Sequence, residues 1–247
     1  MGLSSNILWH QTNIDNLNKI LKSKKLKCAY SLETFMGTKG KIAFPMISLS
    51  DIALADFVEY INQYGGQSIG FSRDWAIKQE FNPVWYCEKN QARTEHLKTL
   101  LSLIKNKDNN IDMYHLSLCY AAYIKPIEGP LYVKSKGITY ENYRYYNERE
   151  YRYVPDFKEL IDKNILPFLK EEDYDLYREK HGTAIINYEI SFSLDDIKMI
   201  IVRTENQANE IKKLLKDNNS IHIFTHDEIK QNIIGIGHKI EKKFEKE

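Results

Sequence analysis

The chain has 247 residues and a formal net charge of +1, from 35 basic and 34 acidic residues. Hydrophobic residues make up 43% and charged residues 28%, which is ordinary for a globular protein and excludes bulk disorder. The balanced charge excludes an overall field toward nucleic acid or anionic lipid, so a nucleic-acid role needs a local patch. No apolar run approaches the roughly 18 residues of a membrane span, and the first residues carry no signal peptide. We therefore expect a cytoplasmic protein with no membrane partner.

Hydrophobic patterning in the first half of the chain predicts short strands separated by short helices. Strands are predicted over 7–10, 25–30, 42–49, 68–72 and 84–87. A helix carrying Ile14, Leu17 and Leu21 on one face is predicted next, with Asn13 or Thr12 as its N-cap. Further helices are predicted from Ser50-Asp51 to about 62 and over 73–79, and Asn82-Pro83 is predicted to be a turn.

The second half begins with a predicted helical insertion, roughly between residues 90 and 125, made of helices over 91–104 and 113–123. Strands are then predicted over 132–134, 151–154, 185–192, 197–202 and 221–224, helices near 157–163, 171–178 and 205–215, and a charged tail over 239–247. The elements lack a regular strand–helix alternation, and no long linker divides them. We predict one α+β domain over 1–247, with mixed or antiparallel sheets and flanking helices.

An acidic and basic run from Glu148 to Arg152 is the segment richest in chemistry. Glu148 and Glu150 are two residues apart, so an extended strand would hold both carboxylates on one face, with Arg149 opposite. Arg152 is also expected on the face opposite to the two glutamates. Neighbouring carboxylates repel, which can raise one pKa for acid–base work, and they can stabilise a positive transition state. A solvated strand with local ion pairs is the alternative interpretation.

Two strand ends carry polar side chains in an alternating pattern. His10 and Thr12 follow an apolar pair, and Ser48 and Ser50 end an apolar strand. Side chains two residues apart on a strand share a face, so each pair is a candidate binding surface. The alternatives are a structural histidine and, for Ser50, a helix cap. The three cysteines form no CxxC pair or Cys/His box, so no metal site is expected.

Tyrosine is unusually common, with 17 residues, many of them in the stretch from Tyr140 to Tyr153. Basic residues are interleaved with these tyrosines. Such a segment can stack on nucleic-acid bases, and a buried aromatic edge is the alternative.

Several segments match one family in the same order along the chain: Trp9–Thr12, Asn16-Leu17, Ile20-Leu21, Tyr64–Trp75, Asn82–Tyr86, Asn147–Pro155 and Asp196–Val202. They resemble the AbiGi family of bacterial abortive-infection proteins, found in phage-defence loci. The glycine-aromatic block and the Glu-Arg-Glu-aromatic-Arg block are the most specific. The resemblance implies anti-phage defence, and the antitoxin label attached to the family implies a partner protein from the same locus.

A looser resemblance is to ADP-ribosyltransferases, which carry a His or Arg on the first strand, hydroxyls or a Tyr on a middle strand, and a late Glu, often as Glu-x-Glu. The corresponding residues here, in that order, are His10 with Thr12, Ser48 with Ser50, Tyr64, and Glu148-x-Glu150. The resemblance implies NAD as a co-substrate. It also implies that Glu150 holds the nicotinamide ribose and stabilises an oxocarbenium-like transition state, as carboxylates do in glycosidases.

The same resemblance implies roles for the other residues. Glu148 would orient or deprotonate the acceptor, His10 would bind the adenosine ribose, and Tyr64 would stack on nicotinamide. Arg149 and Arg152 are assigned to substrate binding, and either Ser48 or Tyr64 fills the middle-strand position. Two functions follow: an ADP-ribosyltransferase-like toxin or effector that modifies nucleic acid or protein, or a non-enzymatic antitoxin or regulatory partner with a degenerate site.

Overall fold

The computed structural model describes residues 6–34, 41–57, 60, 66–88, 94–96, 99, 111–133, 137–216 and 220–231. Tyr64, the charged tail and most of the helix predicted over 91–104 lie outside these residues. Within the described ranges, no helix is both long and apolar enough to cross a bilayer.

The strands are β1 (Ile7–Thr12), β2 (Lys25–Lys27), β3 (Ala29–Thr34), β4 (Lys41–Ser50), β5 (Gln67–Ser72), β6 (Asn82–Pro83), β7 (Trp85–Cys87), β8 (Ile124–Pro126), β9 (Gly129–Val133), β10 (Ile138–Tyr143), β11 (Glu150–Tyr153), β12 (Leu169–Lys170), β13 (Glu189–Ser191), β14 (Ile197–Val202) and β15 (His222–Thr225). The α-helices are α1 (Ile14–Ser23), α2 (Arg73–Lys78), α3 (Ile111–Ala121), α4 (Phe157–Asp162), α5 (Tyr174–Ile185) and α6 (Glu205–Leu214). Short 3₁₀ helices span Leu54–Asp56, Tyr145–Glu148, Glu171–Asp173 and Leu194–Asp196.

In the described part of the chain, nine strands form one sheet in the order β15-β14-β5-β1-β4-β11-β6, with β3 and β12 also paired to β4. The β14–β15 pair is parallel, whereas the pairs of β14 with β5, β5 with β1, and β4 with its neighbours are antiparallel. The sheet is therefore mixed, and helices flank it. The predicted α+β class is confirmed, and α3 confirms the second helix of the predicted insertion.

Helix α1 forms as its sequence predicts. The Asn13 side chain accepts a hydrogen bond from the backbone N–H of Asn16 at 2.9 Å and so caps the first turn. The helix ends at Lys24, whose left-handed backbone conformation sends its N–H back to the Ile20 carbonyl. Leu17 and Leu21 are buried on one face, and each contributes roughly 1.5–3 kcal/mol of burial free energy.

The main apolar core lies against β5. Ile69 and Phe71 are two positions apart, so their side chains lie on the same face of that strand, and both are fully buried. The Phe71 ring stacks on Trp75 of α2 at 4.4 Å between centroids and meets Phe192 edge-on at 5.0 Å. This aromatic group ties α2 to the sheet.

The pairing between β1 and β4 is much shorter than that of their neighbours. β1 pairs with β5 at six successive positions, but it pairs with β4 through Trp9 and Ser50 alone. Beyond Trp9 the two strands no longer pair, so the sheet opens there, and His10 is the first residue at this opening.

Three sequence predictions in this region are wrong. The strand predicted over 25–30 is two strands, because Cys28 donates its N–H to Tyr188 and separates the part that pairs with β13 from the part that pairs with β4. The helix predicted from Ser50 does not begin there, because Ser50 is held in the ladder by Trp9 and Glu150. The turn predicted at Asn82-Pro83 is instead β6, which pairs with β11.

Candidate functional site

Glu150 lies at the centre of a buried polar cluster at the start of β11. Its Oε1 accepts from Ser48 Oγ at 2.6 Å and from Arg152 Nε at 2.7 Å. Its Oε2 accepts from Arg152 Nη2 at 2.8 Å and from Lys125 Nζ at 3.0 Å. The side chain is 5% exposed. A carboxylate offers about four lone-pair positions, so these four donors use its full hydrogen-bonding capacity.

Arg152 was expected on the face opposite to Glu150, and that prediction is wrong. Glu150 pairs with Ser50 and Arg152 pairs with Ser48, so all four side chains share one face of β4 and β11. Side chains alternate with a period of two along a strand, and positions 150 and 152 therefore match. Arg152 is fully buried, binds both oxygens of Glu150, and donates Nη1 to the Ala122 carbonyl at 2.6 Å.

Lys125, on β8, joins the two glutamates of the acidic run. Its Nζ lies 2.9 Å from Glu148 Oε2 and 3.0 Å from Glu150 Oε2. Glu33 of β3 completes the cluster, 3.0 Å from Arg152 and 3.9 Å from Lys125. Three carboxylates thus face two cations, which leaves a formal charge of −1 in this buried group.

The backbone from Glu148 to Glu150 is not the regular strand predicted from spacing. Glu148 ends a 3₁₀ helix, Arg149 adopts a left-handed conformation with φ 43°, and the strand begins at Glu150. The two carboxylates are nevertheless brought together, because both bind Lys125. Arg149 is partly buried, and its carbonyl accepts from the Asp51 N–H at 3.2 Å.

Electrostatics hold Glu150 in its ionised form. Burial by itself raises the pKa of Glu150, but the charges of Arg152 and Lys125 and the bonds from Arg152 and Ser48 outweigh it, and the pKa lies well below its usual range. The repulsion expected to raise one pKa of the carboxylate pair therefore does not prevail at Glu150. Glu150 can stabilise positive charge, but it is not placed to give or take a proton at neutral pH.

His10 extends this cluster to the opening of the sheet. Its Nδ1 lies 3.1 Å from the carbonyl oxygen of Ser48, so this nitrogen carries the proton, and Nε2 is the acceptor in the neutral ring. Burial lowers the pKa of His10, and the bond to the Ser48 carbonyl offsets this only partly. A neutral imidazole therefore touches the same residue whose hydroxyl binds Glu150.

Ser50 and Thr12 are not part of the contact chain from His10 through Ser48 to Glu150. The hydroxyl of Ser50 is 3.0 Å from the Tyr60 hydroxyl rather than at a helix cap. Thr12 ends β1 opposite Gln67, two positions beyond His10, which is roughly 6–7 Å along a strand. Tyr64 lies outside the described residues, so its assigned contact with nicotinamide stays a prediction.

Sequence reasoning missed Lys125, Glu33 and Tyr86. Lys125 carried a signal, because it is the one charge in an otherwise apolar run from Ala121 to Ile127. Tyr86 accepts from the backbone N–H of Glu150 at 2.9 Å, and Glu33 reaches the cluster from β3. Neither residue differs in pattern from an ordinary strand residue, so its role depends on tertiary contacts.

Comparison with known proteins shows the family. The model of the family described as "Putative abortive phage resistance protein AbiGi, antitoxin" matches residues 18–203. The chain belongs to the AbiGi family. A relative from Lactococcus lactis subsp. cremoris, "Abortive phage resistance protein AbiGi", is 28% identical over 199 residues, covering 68% of this chain and 78% of the relative. The range matched by the family model contains Ser48, Glu148 and Glu150 but not His10.

Solved structures of DarT from Thermus sp. 2.9 are distant structural neighbours of this AbiGi protein. The complex of DarT with NAD⁺ has a TM-score of 0.32 and 11% identity, covering 91% of this chain and 97% of DarT. The complex with ADP-ribosylated single-stranded DNA has a TM-score of 0.31 and 10% identity, covering 90% and 97%.

Proposed function

We propose that this AbiGi protein acts in phage defence as an ADP-ribosyltransferase-like effector, with NAD cleaved beside Glu150. The observation that carries the proposal is the contact chain His10–Ser48–Glu150. The His10 ring donates to the backbone carbonyl of Ser48, 38 positions away, and the Ser48 hydroxyl donates to Glu150, 102 positions away, where the pairing of β1 with β4 ends. Such convergence is what a site assembled from strand ends requires.

The chemistry suits an ionised carboxylate. Breaking the bond between the ribose C1′ and the nicotinamide nitrogen leaves the electron pair on nicotinamide and positive charge on the ribose. A preorganised negative charge stabilises that developing cation more than it stabilises the neutral ribose, which lowers the barrier. Glu150 is held in this charged state by Arg152 and Lys125.

Binding a ribose hydroxyl at Glu150 requires one of its four donors to leave. Ser48 is the neutral donor of the four, and its hydroxyl has a second acceptor, Met46 Sδ, at 3.6 Å. A change of the Ser48 rotamer that carries its hydroxyl away from Glu150 would open Oε1 to an external hydroxyl while Arg152 and Lys125 stay in place. His10 Nε2 is an acceptor for another ribose hydroxyl. On this condition, Glu150 and His10 would each accept a ribose hydroxyl of NAD.

The experiment is nicotinamide release and transfer of label from adenylate-labelled NAD to cell extract. Glu150→Gln keeps the shape of the side chain but removes its charge, so turnover should fall roughly 10²–10³-fold, the usual effect of removing an electrostatic stabiliser. Ser48→Ala should keep most of the activity, because the substrate hydroxyl takes the place of the serine hydroxyl.

Ser50→Ala is the matched control, since Ser50 lies on the same strand face but binds Tyr60. Melting temperatures of all variants separate misfolding from lost chemistry. Wild-type protein that neither releases nicotinamide nor transfers label, with or without phage infection of the source extract, would rule the enzyme out.

A second candidate function is a non-enzymatic antitoxin or regulatory partner of a toxin from the same locus. The full set of four donors on Glu150 favours it, because a carboxylate so completely bound is typical of a structural ion cluster. The antitoxin wording of the matched family description is consistent with it.

Co-expression with the neighbouring gene separates the two functions. An antitoxin should co-purify with that product and rescue growth equally well as wild type and as Glu150→Gln. Rescue that disappears in Glu150→Gln, while the variant still co-purifies, would contradict a purely binding role.

A further inference from the structure

The segment that precedes Glu150 alternates between buried and exposed aromatic residues. Tyr143 and Tyr145 point inward, are 7% and 6% exposed, and meet edge-on at 5.4 Å. Tyr145 also donates to the Pro130 carbonyl at 2.5 Å. Between and after them, Arg144 is exposed and Tyr146 is 50% exposed. The inward tyrosines therefore anchor an outward Arg–Tyr pair on ordered backbone.

This pair, Arg144 and Tyr146, is here named the tyrosine ledge. The Arg144 guanidinium carbon lies 5.9 Å from the centroid of the Tyr146 ring. The same ring meets Tyr86 edge-on at 5.4 Å, and the Tyr86 hydroxyl accepts from the N–H of Glu150. One aromatic ring thus separates the ledge from the backbone of the candidate catalytic carboxylate.

Another set of exposed apolar side chains, on β7 and α3, differs from the ledge in charge. Trp85, Leu116 and Tyr120 are 64%, 52% and 73% exposed, and Trp85 is tied by its N–H to the end of α3 at Tyr123. No arginine or lysine is found over these rings among the described residues. An apolar group without a cation suits protein contacts, whereas an aromatic ring with an arginine suits a stacked base and its phosphate.

We propose that the tyrosine ledge binds single-stranded nucleic acid and presents it as the acceptor to Glu148 and Glu150. An exposed tyrosine ring stacks on any base, and Arg144 supplies the charge for the adjacent phosphate. Duplex bases are already stacked on each other, so an unpaired strand is the substrate class that fits. The binding step does not need NAD, and only the presentation to the carboxylates rests on the proposed function.

The positive charge that would attract nucleic acid is confined to the ledge and is not spread over the whole protein. The chain as a whole has a formal charge of +1, and the exposed Glu141 lies on the neighbouring strand β10. Binding should therefore depend on few phosphate contacts and show a shallow dependence on salt. This distinguishes the ledge from a broad basic surface, which would bind any polyanion.

The test is fluorescence anisotropy with the full chain and a labelled single strand of about 12 nucleotides, within the usual site size, as DNA and as RNA, without NAD. Tyr146→Ala should weaken binding roughly tenfold, as expected for losing one base stack. Arg144→Ala should reduce the slope of log affinity against log salt by about 0.7, one single-strand phosphate. Tyr120→Ala removes a similarly exposed tyrosine of the other group and should leave binding unchanged.

The outcomes are separable from those of the NAD reaction. Binding that Tyr146→Ala weakens and Tyr120→Ala does not supports the ledge even if NAD is never cleaved. No measurable binding at low salt, equal binding of duplex and single strand, or equal loss in both tyrosine variants would overturn it. Protection of Tyr146 by a co-purifying protein, without any nucleic-acid binding, would assign the ledge to a protein interface and overturn it as well.

Discussion

Two buried regions of the same sheet use opposite chemistry. Around Phe71 the interior is aromatic and apolar, and around Glu150 it contains three carboxylates and two cations. Burying apolar surface stabilises a fold directly, whereas burying ion pairs costs desolvation that their attraction often only balances. Well-packed apolar side chains at the second region would stabilise the fold at least as well. The gain in folding free energy therefore does not by itself account for the charged cluster.

Phe71→Ala should have the largest effect in the apolar region. The ring is fully buried between Trp75 and Phe192, and its removal leaves a cavity. We expect the free energy of unfolding to fall by roughly 3–5 kcal/mol. Urea denaturation at pH 7 and pH 5 should give the same loss, because no charge changes. A loss that depends on pH would show that the two regions are coupled.

Arg152→Met should destabilise the charged region by a similar roughly 3–5 kcal/mol, since it leaves Glu150 and Glu33 without their main partner. In contrast to the Phe71 variant, the Arg152 variant should lose less free energy of unfolding as the pH falls, because protonation neutralises the unpaired carboxylates. The double variant Arg152→Met with Glu150→Gln, measured by the same urea titration, should recover part of the loss. An equal loss of unfolding free energy at pH 7 and at pH 5 would contradict this electrostatic explanation.

Glu150→Gln should cost less, roughly 1.5–3 kcal/mol, because the amide oxygen still accepts while Arg152 keeps Glu33 and Lys125 keeps Glu148. In the wild type the pKa of Glu150 is lower in the folded than in the unfolded chain. Its stabilisation is therefore complete at neutral pH and is lost as the pH falls below about 4.3, where the unfolded glutamate takes up its proton. The variant should lose this acid-dependent component in melting curves from pH 6 to pH 3.

Ser48→Ala should have the smallest effect, about 1 kcal/mol for one hydrogen bond. Ser50→Ala removes a hydroxyl from the same face of β4 and should cost about the same. The two variants should therefore match in stability, although only the Ser48 hydroxyl reaches Glu150. If chemical denaturation ranks Ser50→Ala as far more costly, the bond between Ser50 and Tyr60 contributes more to stability than the bond between Ser48 and Glu150.

Much of the fold could be predicted from local pattern. The cap at Asn13, the apolar face of α1 and the alternation of Ile69 and Phe71 are short-range features, and the structure confirms them. The strand predicted from Glu148 to Glu150 was wrong, because Arg149 has a left-handed backbone conformation that interrupts the two-residue repeat of a strand. The prediction that Arg152 lies on the face opposite to Glu150 was wrong for a simpler reason. Side chains repeat with a period of two along a strand, which places Arg152 on the same face as Glu150.

The family, the mixed α+β class and most of the candidate side chains could be read from the sequence: His10, Ser48, Glu148 and Glu150. How these side chains meet depends on the folded chain. Lys125 is supplied by β8 and Glu33 by β3, and their contacts join positions separated by up to 119 residues along the chain. Propensity and periodicity report neighbours within a turn or a strand, whereas the charge state of Glu150 depends on which distant cations the folded chain brings within 3 Å.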